Sequence, residues 1–127
     1  SRILLIDDDD AVRTMLRITL AEFGHTVTEA RNGIEGLAIF PATGVDLVIT
    51  DIVMPGKEGI EVIQELRLLH PQLKIIAISG GGRVGPSDYL RIALFLGAAR
   101  VLAKPFSNQE LLLMIEELLP PAASVTI

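Results

Sequence analysis

The 127-residue chain contains no cysteine and no tryptophan, and aromatic residues make up only 4% of it. The missing cysteine excludes a disulfide framework and thiolate metal sites, and it fits a reducing, cytoplasmic setting. Positive charge is scarce too: 11 Lys and Arg stand against 16 Asp and Glu, a formal charge of −5. That balance disfavours non-specific attraction to nucleic acid or to an anionic membrane surface. No apolar run approaches the length of a membrane span, and the opening "SRILLID" lacks the charged-then-apolar layout of a secretory signal. The expectation is a soluble cytoplasmic protein with no direct nucleic-acid or membrane binding.

Half of the residues are hydrophobic, enough for one well-packed core, and the length is too short for two ordinary domains. Short aliphatic or β-branched runs recur as "RILLI" (2–6), "TVTEA" (26–30), "DLVIT" (46–50), "KIIAIS" (74–79) and "ARVLA" (99–103). The stretches between them carry apolar residues at helical spacing, as in Val12, Met15, Leu16, Thr19, Leu20 and Phe23, with Gly24 as a stop signal. Ser107 followed by Glu110 makes a capping-box pattern for the last helix. The β-α alternation occurs five times. Runs such as "LLI" and "IIAI" do not alternate with polar residues, so the strands are expected to be covered on both faces, as in an α/β parallel sheet with helices above and below. One domain is expected over 1–120, with 121–127 a tail or the start of a linker, because consecutive prolines cannot continue a helix.

Open parallel sheets bind ligands outside the carboxyl ends of their strands, where the winding reverses. The residues at those ends are Asp7 and Asp8, Asp51, Ser79 and Lys104, and a 2-1-3-4-5 strand order would bring them into one crevice. Three carboxylates at one sheet end stay ionised together only with a cation among them. Mg²⁺ suits such a site, because it takes a few carboxylates and keeps several waters. Lys104 adds a fixed positive charge and Ser79 a hydroxyl donor. A metal, a cation and a hydroxyl around an aspartate are what a phosphoryl group requires, and the aspartate can itself be the nucleophile.

At this point the residues resemble a known family, the receiver domains of two-component response regulators, over about residues 2–119. The resemblance rests on "LLIDDDD", on "TDIVMPGKEG" with its D-x-x-M-P-x-x-x-G pattern (Asp51, Met54, Pro55, Gly59), and on "GAARVLAKPF" with Lys104-Pro105. It implies a flavodoxin-like (βα)5 fold, a doubly wound five-stranded parallel sheet of order 2-1-3-4-5. It also implies that Asp51 is the phosphoacceptor. Asp8, Asp51 and the backbone carbonyl of Val53 would ligate Mg²⁺, and Asp7 would hold a metal-bound water. Ser79 and Lys104 would contact the phosphoryl group, and the Lys104-Pro105 bond is often cis in this family. The implied partners are a histidine kinase or histidine phosphotransfer protein as donor, and a downstream protein or output domain reached through helix 86–97 and the fifth strand and last helix. A homodimer formed on phosphorylation fits the same scheme.

Plainer explanations cover the remaining motifs. Of the four consecutive aspartates, Asp9 and Asp10 are expected to cap the first helix and favour its positive end. Asp46 reads as a loop acid, and His25 and His70 as surface residues. "GGGRVG" (80–85) satisfies G-x-G-x-x-G, but it is not in the first βα turn, and "VLAKPF" offers no acid for a ribose. A small aspartyl-nucleophile phosphatase of the haloacid-dehalogenase type would need D-x-D-G-[TV], and "DDDDAV" has no glycine there. A pseudo-receiver that is never phosphorylated is the remaining rival, and the intact acid set argues against it.

Three features depart from the family pattern. Val101 stands where an aromatic is common, so an aromatic rotamer switch cannot operate. Ser79 replaces the equally common Thr, which keeps the hydroxyl. The glycine-rich segment between Ser79 and Gly97 is longer than usual. Its helix, "PSDYLRIALFLG" (86–97), is more apolar than one buried face requires, and with Tyr89, Ile92, Ala93 and Leu96 facing the sheet, Leu94 would point outward as a contact surface. Apart from these three, Val53 and Gly81 occupy positions that in this family can orient the hydrolytic water, and neither side chain hydrogen-bonds, so slow autodephosphorylation is expected.

Overall fold

The aliphatic runs become strands because β-branched and aliphatic side chains pack well on a pleated surface that is covered from both sides. The computed structural model describes residues 1–52, 59–79 and 97–119. In chain order its elements are β1 (Arg2–Ile6), α1 (Asp10–Glu22), β2 (Thr26–Ala30), α2 (Gly33–Thr43), β3 (Leu47–Asp51), α3 (Gly59–Leu69), β4 (Lys74–Ser79), β5 (Arg100–Ala103) and α4 (Asn108–Leu118). All strand pairs are parallel, and the sheet order is β2-β1-β3-β4-β5, the doubly wound order expected. β1 sits between β2 and β3, with Leu4 in register with Thr28 on one side and Val48 on the other.

Alternate residues of each strand feed two apolar layers. Ile3, Leu5, Leu47, Ile49, Ile76 and Ile78 pack against Leu16 and Leu20 of α1 and Leu111 and Ile115 of α4. Leu4, Ile6, Val48, Ile75 and Ala77 pack on the opposite face against Phe40 of α2 and Val62, Ile63 and Leu66 of α3. All five residues of β3 are buried, as a central strand requires. Truncating one of these large side chains to Ala costs about 2–5 kcal/mol.

Three strand boundaries and one helical stripe differ from expectation. The third strand begins at Leu47 and ends at Asp51, one residue later than expected, and the fifth begins at Arg100. Asp46 stays outside the sheet, exposed, and accepts a 2.8 Å hydrogen bond from the Arg2 backbone amide. In α1 the buried residues are Arg13, Leu16 and Leu20, while Met15 and Phe23 are exposed. Residues 13, 16 and 20 share one face at helical spacing, whereas Met15 turns away and Phe23 is already the C-cap. Gly24, with φ of 88°, takes the left-handed conformation that closes α1. His70 is exposed, its ring tilted against Phe40 at 4.6 Å, whereas His25 is half-buried and burial holds its pKa below the ordinary value.

Local chemistry fixes the helix starts. Asp9 N-caps α1, its Oδ1 accepting from the amides of Ala11 and Val12 at 2.9 and 3.2 Å. Asn32 accepts from the Glu35 amide at the start of α2. Ser107 and Glu110 make the expected capping box, each backbone amide donating to the other side chain at 3.0 Å. The tail from 120 onward, and with it the expected domain boundary, lies outside the described residues.

Candidate functional site: an acidic cluster with one lysine

Because β1, β3 and β5 end on the same edge of the sheet, the residues that follow or close them meet there. Asp7 extends the β1 ladder by one bond, its amide donating to Ala30 O at 3.1 Å. Asp51 is the last residue of β3, and Lys104 follows β5. Asp7 and Asp51 are 1% and 5% exposed, while Asp8 is open to solvent. One carboxylate oxygen from each of Asp7, Asp8 and Asp51 lies within 4.8 Å of the others. Lys104 Nζ stands 3.1 Å from Asp51 Oδ2 and 3.4 Å from Asp7 Oδ2. The Lys104-Pro105 peptide bond is cis.

Charge dominates this cluster. Burial pushes the Asp7 carboxyl above the usual carboxylate range and nearby Asp51 pushes the same way, against the Asp9 amide and Lys104, which favour ionisation. Burial also disfavours the charge on Lys104, but Asp51 and Asp7 outweigh it and raise its pKa. Among the described residues Lys104 is the one side-chain cation facing these carboxylates, and one lysine cannot neutralise three of them, two nearly inaccessible to water. The donors are all oxygen, with one of the three exposed, and this set fits a hard divalent cation that keeps part of its water shell.

The four consecutive aspartates take four different roles. Asp7 is fully engaged: its Oδ1 accepts from the Asp9 amide at 2.9 Å, its Oδ2 faces Lys104, and its carbonyl accepts from Arg13 Nη1 at 2.7 Å. Asp8 lies at the solvent side of the cluster. Asp9 caps the helix, and Asp10 accepts a hydrogen bond from Arg13 Nη2. The expected placement of Asp9 and Asp10 at the start of α1 matches this geometry.

Ser79 closes β4 in register with Ala103 of β5, so its backbone is at the same sheet edge. Val53, Met54, Pro55, Gly81 and most of the segment 86–97 expected to be a helix, including Tyr89 and Leu94, lie outside the described residues. Val101 is half-buried and packs against the layer formed by α2 and α3. A concavity of about 740 Å³ lies elsewhere, between α1 and α4, and is lined by Thr19, Phe23, His25, Leu112 and Leu113 with no residue of the acidic cluster.

Sequence reasoning missed Arg13, which is only 8% exposed yet carries a charge. The signal was present: Arg13 stands three and seven residues before Leu16 and Leu20, on the stripe that faces the sheet. Besides Asp7 and Asp10, its guanidinium meets Glu29 of β2, with Nε 3.4 Å from Oε1 but not aligned for a hydrogen bond. Glu29 in turn pairs with Arg17 at 2.9 Å. Burial disfavours the charge on Arg13, but Asp10 and Glu29 outweigh it and raise its pKa.

A family model described as the response regulator receiver domain matches residues 3–116. Over 119 residues the chain is 38% identical to the sensor kinase CckA of Brucella abortus, covering 92% of this chain and 12% of that protein. It is also 38% identical to the response regulator MprA of Mycobacterium ulcerans, covering 93% of this chain and 50% of that protein. The chain thus spans half or less of the curated relatives it matches. Among solved structures, a receiver domain protein from Clostridium thermocellum superimposes with a TM-score of 0.85 at 31% identity, covering 92% of each chain. The receiver domain of NtrX from Brucella abortus gives a TM-score of 0.85 at 29% identity, covering 94% of this chain and 99% of that one. The flavodoxin-like architecture is therefore shared with known receivers.

Proposed function

We propose, from the premise that this chain belongs to the response regulator receiver domain family, that Asp51 accepts a phosphoryl group and thereby switches a partner-binding surface. The observation that carries the reading is the single lysine bridging Asp51 and Asp7 at the edge where Asp8 also converges. A carboxylate oxygen of Asp51 attacks phosphorus in line, an acyl phosphate bond forms, and the P–N bond of a donor phosphohistidine breaks. The departing imidazole keeps the electron pair of that bond and is protonated from solvent.

Lys104 is already placed against Asp51 Oδ2, so its ammonium can pair with a phosphoryl oxygen as charge builds there. Ser79, at the neighbouring strand end, supplies a hydroxyl to the same group. Asp7, Asp8, Asp51 and the Val53 carbonyl would hold Mg²⁺, whose charge when bound offsets that of the carboxylates and phosphoryl oxygens. The donor is a histidine kinase or histidine phosphotransfer protein. Readout runs through helix 86–97, β5 and α4 to a downstream protein, an output domain or a second copy of the chain, all in the cytoplasm. No helix among the described residues is long and apolar enough to cross a membrane.

Acetyl phosphate tests the chemistry without a kinase. With Mg²⁺, intact-mass measurement should show one added phosphoryl group, absent with a chelator and absent in Asp51→Asn. Undiminished labelling of Asp51→Asn would remove Asp51 as the acceptor.

A further inference from the structure

Arg13 is a charged residue with only 8% of its surface exposed, and its two shortest contacts fall on the ends of the aspartate run. Nη1 donates to the carbonyl of Asp7 at 2.7 Å, and Nη2 donates to the carboxylate of Asp10. The Asp7 peptide is thereby gripped from both sides: its amide by Ala30 of β2, its carbonyl by a side chain of α1. Glu29, one residue before Ala30, holds the guanidinium from the β2 side and is itself held by Arg17. A planar fork with several donors can bridge a loop, a helix and a strand at once, which a single ammonium cannot.

We infer that Arg13 is a positioning residue for the cation-binding loop: it fixes the Asp7–Asp8 backbone in the geometry that presents both carboxylates, and it draws Asp10 out of the cluster. This inference rests on the reading of Asp7, Asp8 and Asp51 as a divalent-cation site. With Asp9 committed to the helix cap and Asp10 to Arg13, the pair left for the cation is Asp7 and Asp8.

Simple electrostatics predicts the opposite result, which makes the idea testable. Removing a cation near an acidic cluster should tighten Mg²⁺ binding if charge alone matters. Loss of positioning should weaken it by about tenfold, the low end of the effect of removing a group that orients metal ligands. The experiment is a calorimetric Mg²⁺ titration of the wild type, Arg13→Ala and Arg13→Lys, with circular dichroism to verify folding and amide NMR shifts of Asp7, Asp8 and Asp9 in Mg²⁺-free protein.

Arg13→Ala should bind about tenfold more weakly, and Arg13→Lys, which keeps the charge and one donor, should recover part of the affinity. The loop amides should shift in the alanine variant before any Mg²⁺ is added. Wild-type or tighter affinity in Arg13→Ala overturns the inference. If that variant does not fold, Arg13→Lys decides alone, since wild-type affinity with unmoved loop amides also overturns it. A wild type that binds no Mg²⁺ would refute the cation site itself, whereas a binding wild type with an equally competent alanine variant would refute only the role of Arg13.

Discussion

Lys104 and Arg13 approach the same acidic edge from opposite sides of β1 and do different things there. Lys104 arrives from the far end of the chain and, among the described residues, its ammonium meets the carboxylates of Asp51 and Asp7. Arg13 comes from the helix that follows the loop and touches the Asp7 backbone, with Asp10 and Glu29 completing its shell. The first contact sits on the atoms that would react or bind a phosphoryl group. The second sits on the frame that carries them. A buried acidic site thus needs two kinds of cation, one facing the chemistry and one holding the loop.

The contrast breaks most visibly at Lys104. Lys104→Ala should slow phosphorylation of Asp51 by acetyl phosphate by about a hundredfold, the usual scale for removing one donor to a developing charge. Mass spectrometry over a time course checks this, and a rate close to the wild type would place Lys104 outside the reaction. The alanine substitution at Arg13 should act on Mg²⁺ affinity instead, so a saturating cation concentration should restore its rate but not that of Lys104→Ala.

Asp7 carries the cost of the arrangement. Because burial raises its pKa in the fold, the protonated form is favoured there, and the associated stability is present below pH 3.8 and lost as pH rises through that value toward the raised one. The metal-free domain should therefore melt several degrees higher as Asp7→Asn at pH 7, and added Mg²⁺ should raise the melting temperature of the wild type but not of that variant. Equal melting temperatures at neutral pH would contradict the strain assigned to Asp7.

Smaller effects sharpen the division of the aspartate run. Asp9→Ala removes the N-cap of α1 and should cost about 1 kcal/mol by urea denaturation, with little change in Mg²⁺ affinity. Asp10→Ala should leave affinity nearly unchanged, because Arg13 keeps its bond to the Asp7 carbonyl and its pairing with Glu29. A large loss of Mg²⁺ affinity in Asp10→Ala would mean that Asp10, and not Asp8, is the exposed ligand.

Most of the sheet could be read from the sequence because "RILLI" and "KIIAIS" are short, rich in aliphatic and β-branched residues and apolar without alternation, the pattern of a strand covered on both faces. The reading slipped at "DLVIT", which starts with one acid and is followed by another, and only pairing with β4, where Asp51 is in register with Ile78, shows that Asp51 belongs to the strand while Asp46 does not. Asp7, Asp8, Asp51 and Lys104 were legible because strand ends and motif spacing both pointed at them. Arg13 was passed over because an arginine in a helix reads as a solvated face, although its spacing to Leu16 and Leu20 puts it on the stripe that faces the sheet. Met15 and Phe23 failed for the converse reason: they are apolar and at plausible spacing, yet the stripe centred on Leu16 and Leu20 leaves them exposed.

Borohydride trapping of the phosphorylated domain tests the central claim most directly, because it reduces an acyl phosphate at the side chain that bears it and leaves a mass tag for peptide sequencing. The account predicts a single tag at Asp51 in protein treated with acetyl phosphate and Mg²⁺. A tag at Asp7 or Asp8, or label that survives on a serine or histidine with Asp51 unmodified, would contradict it.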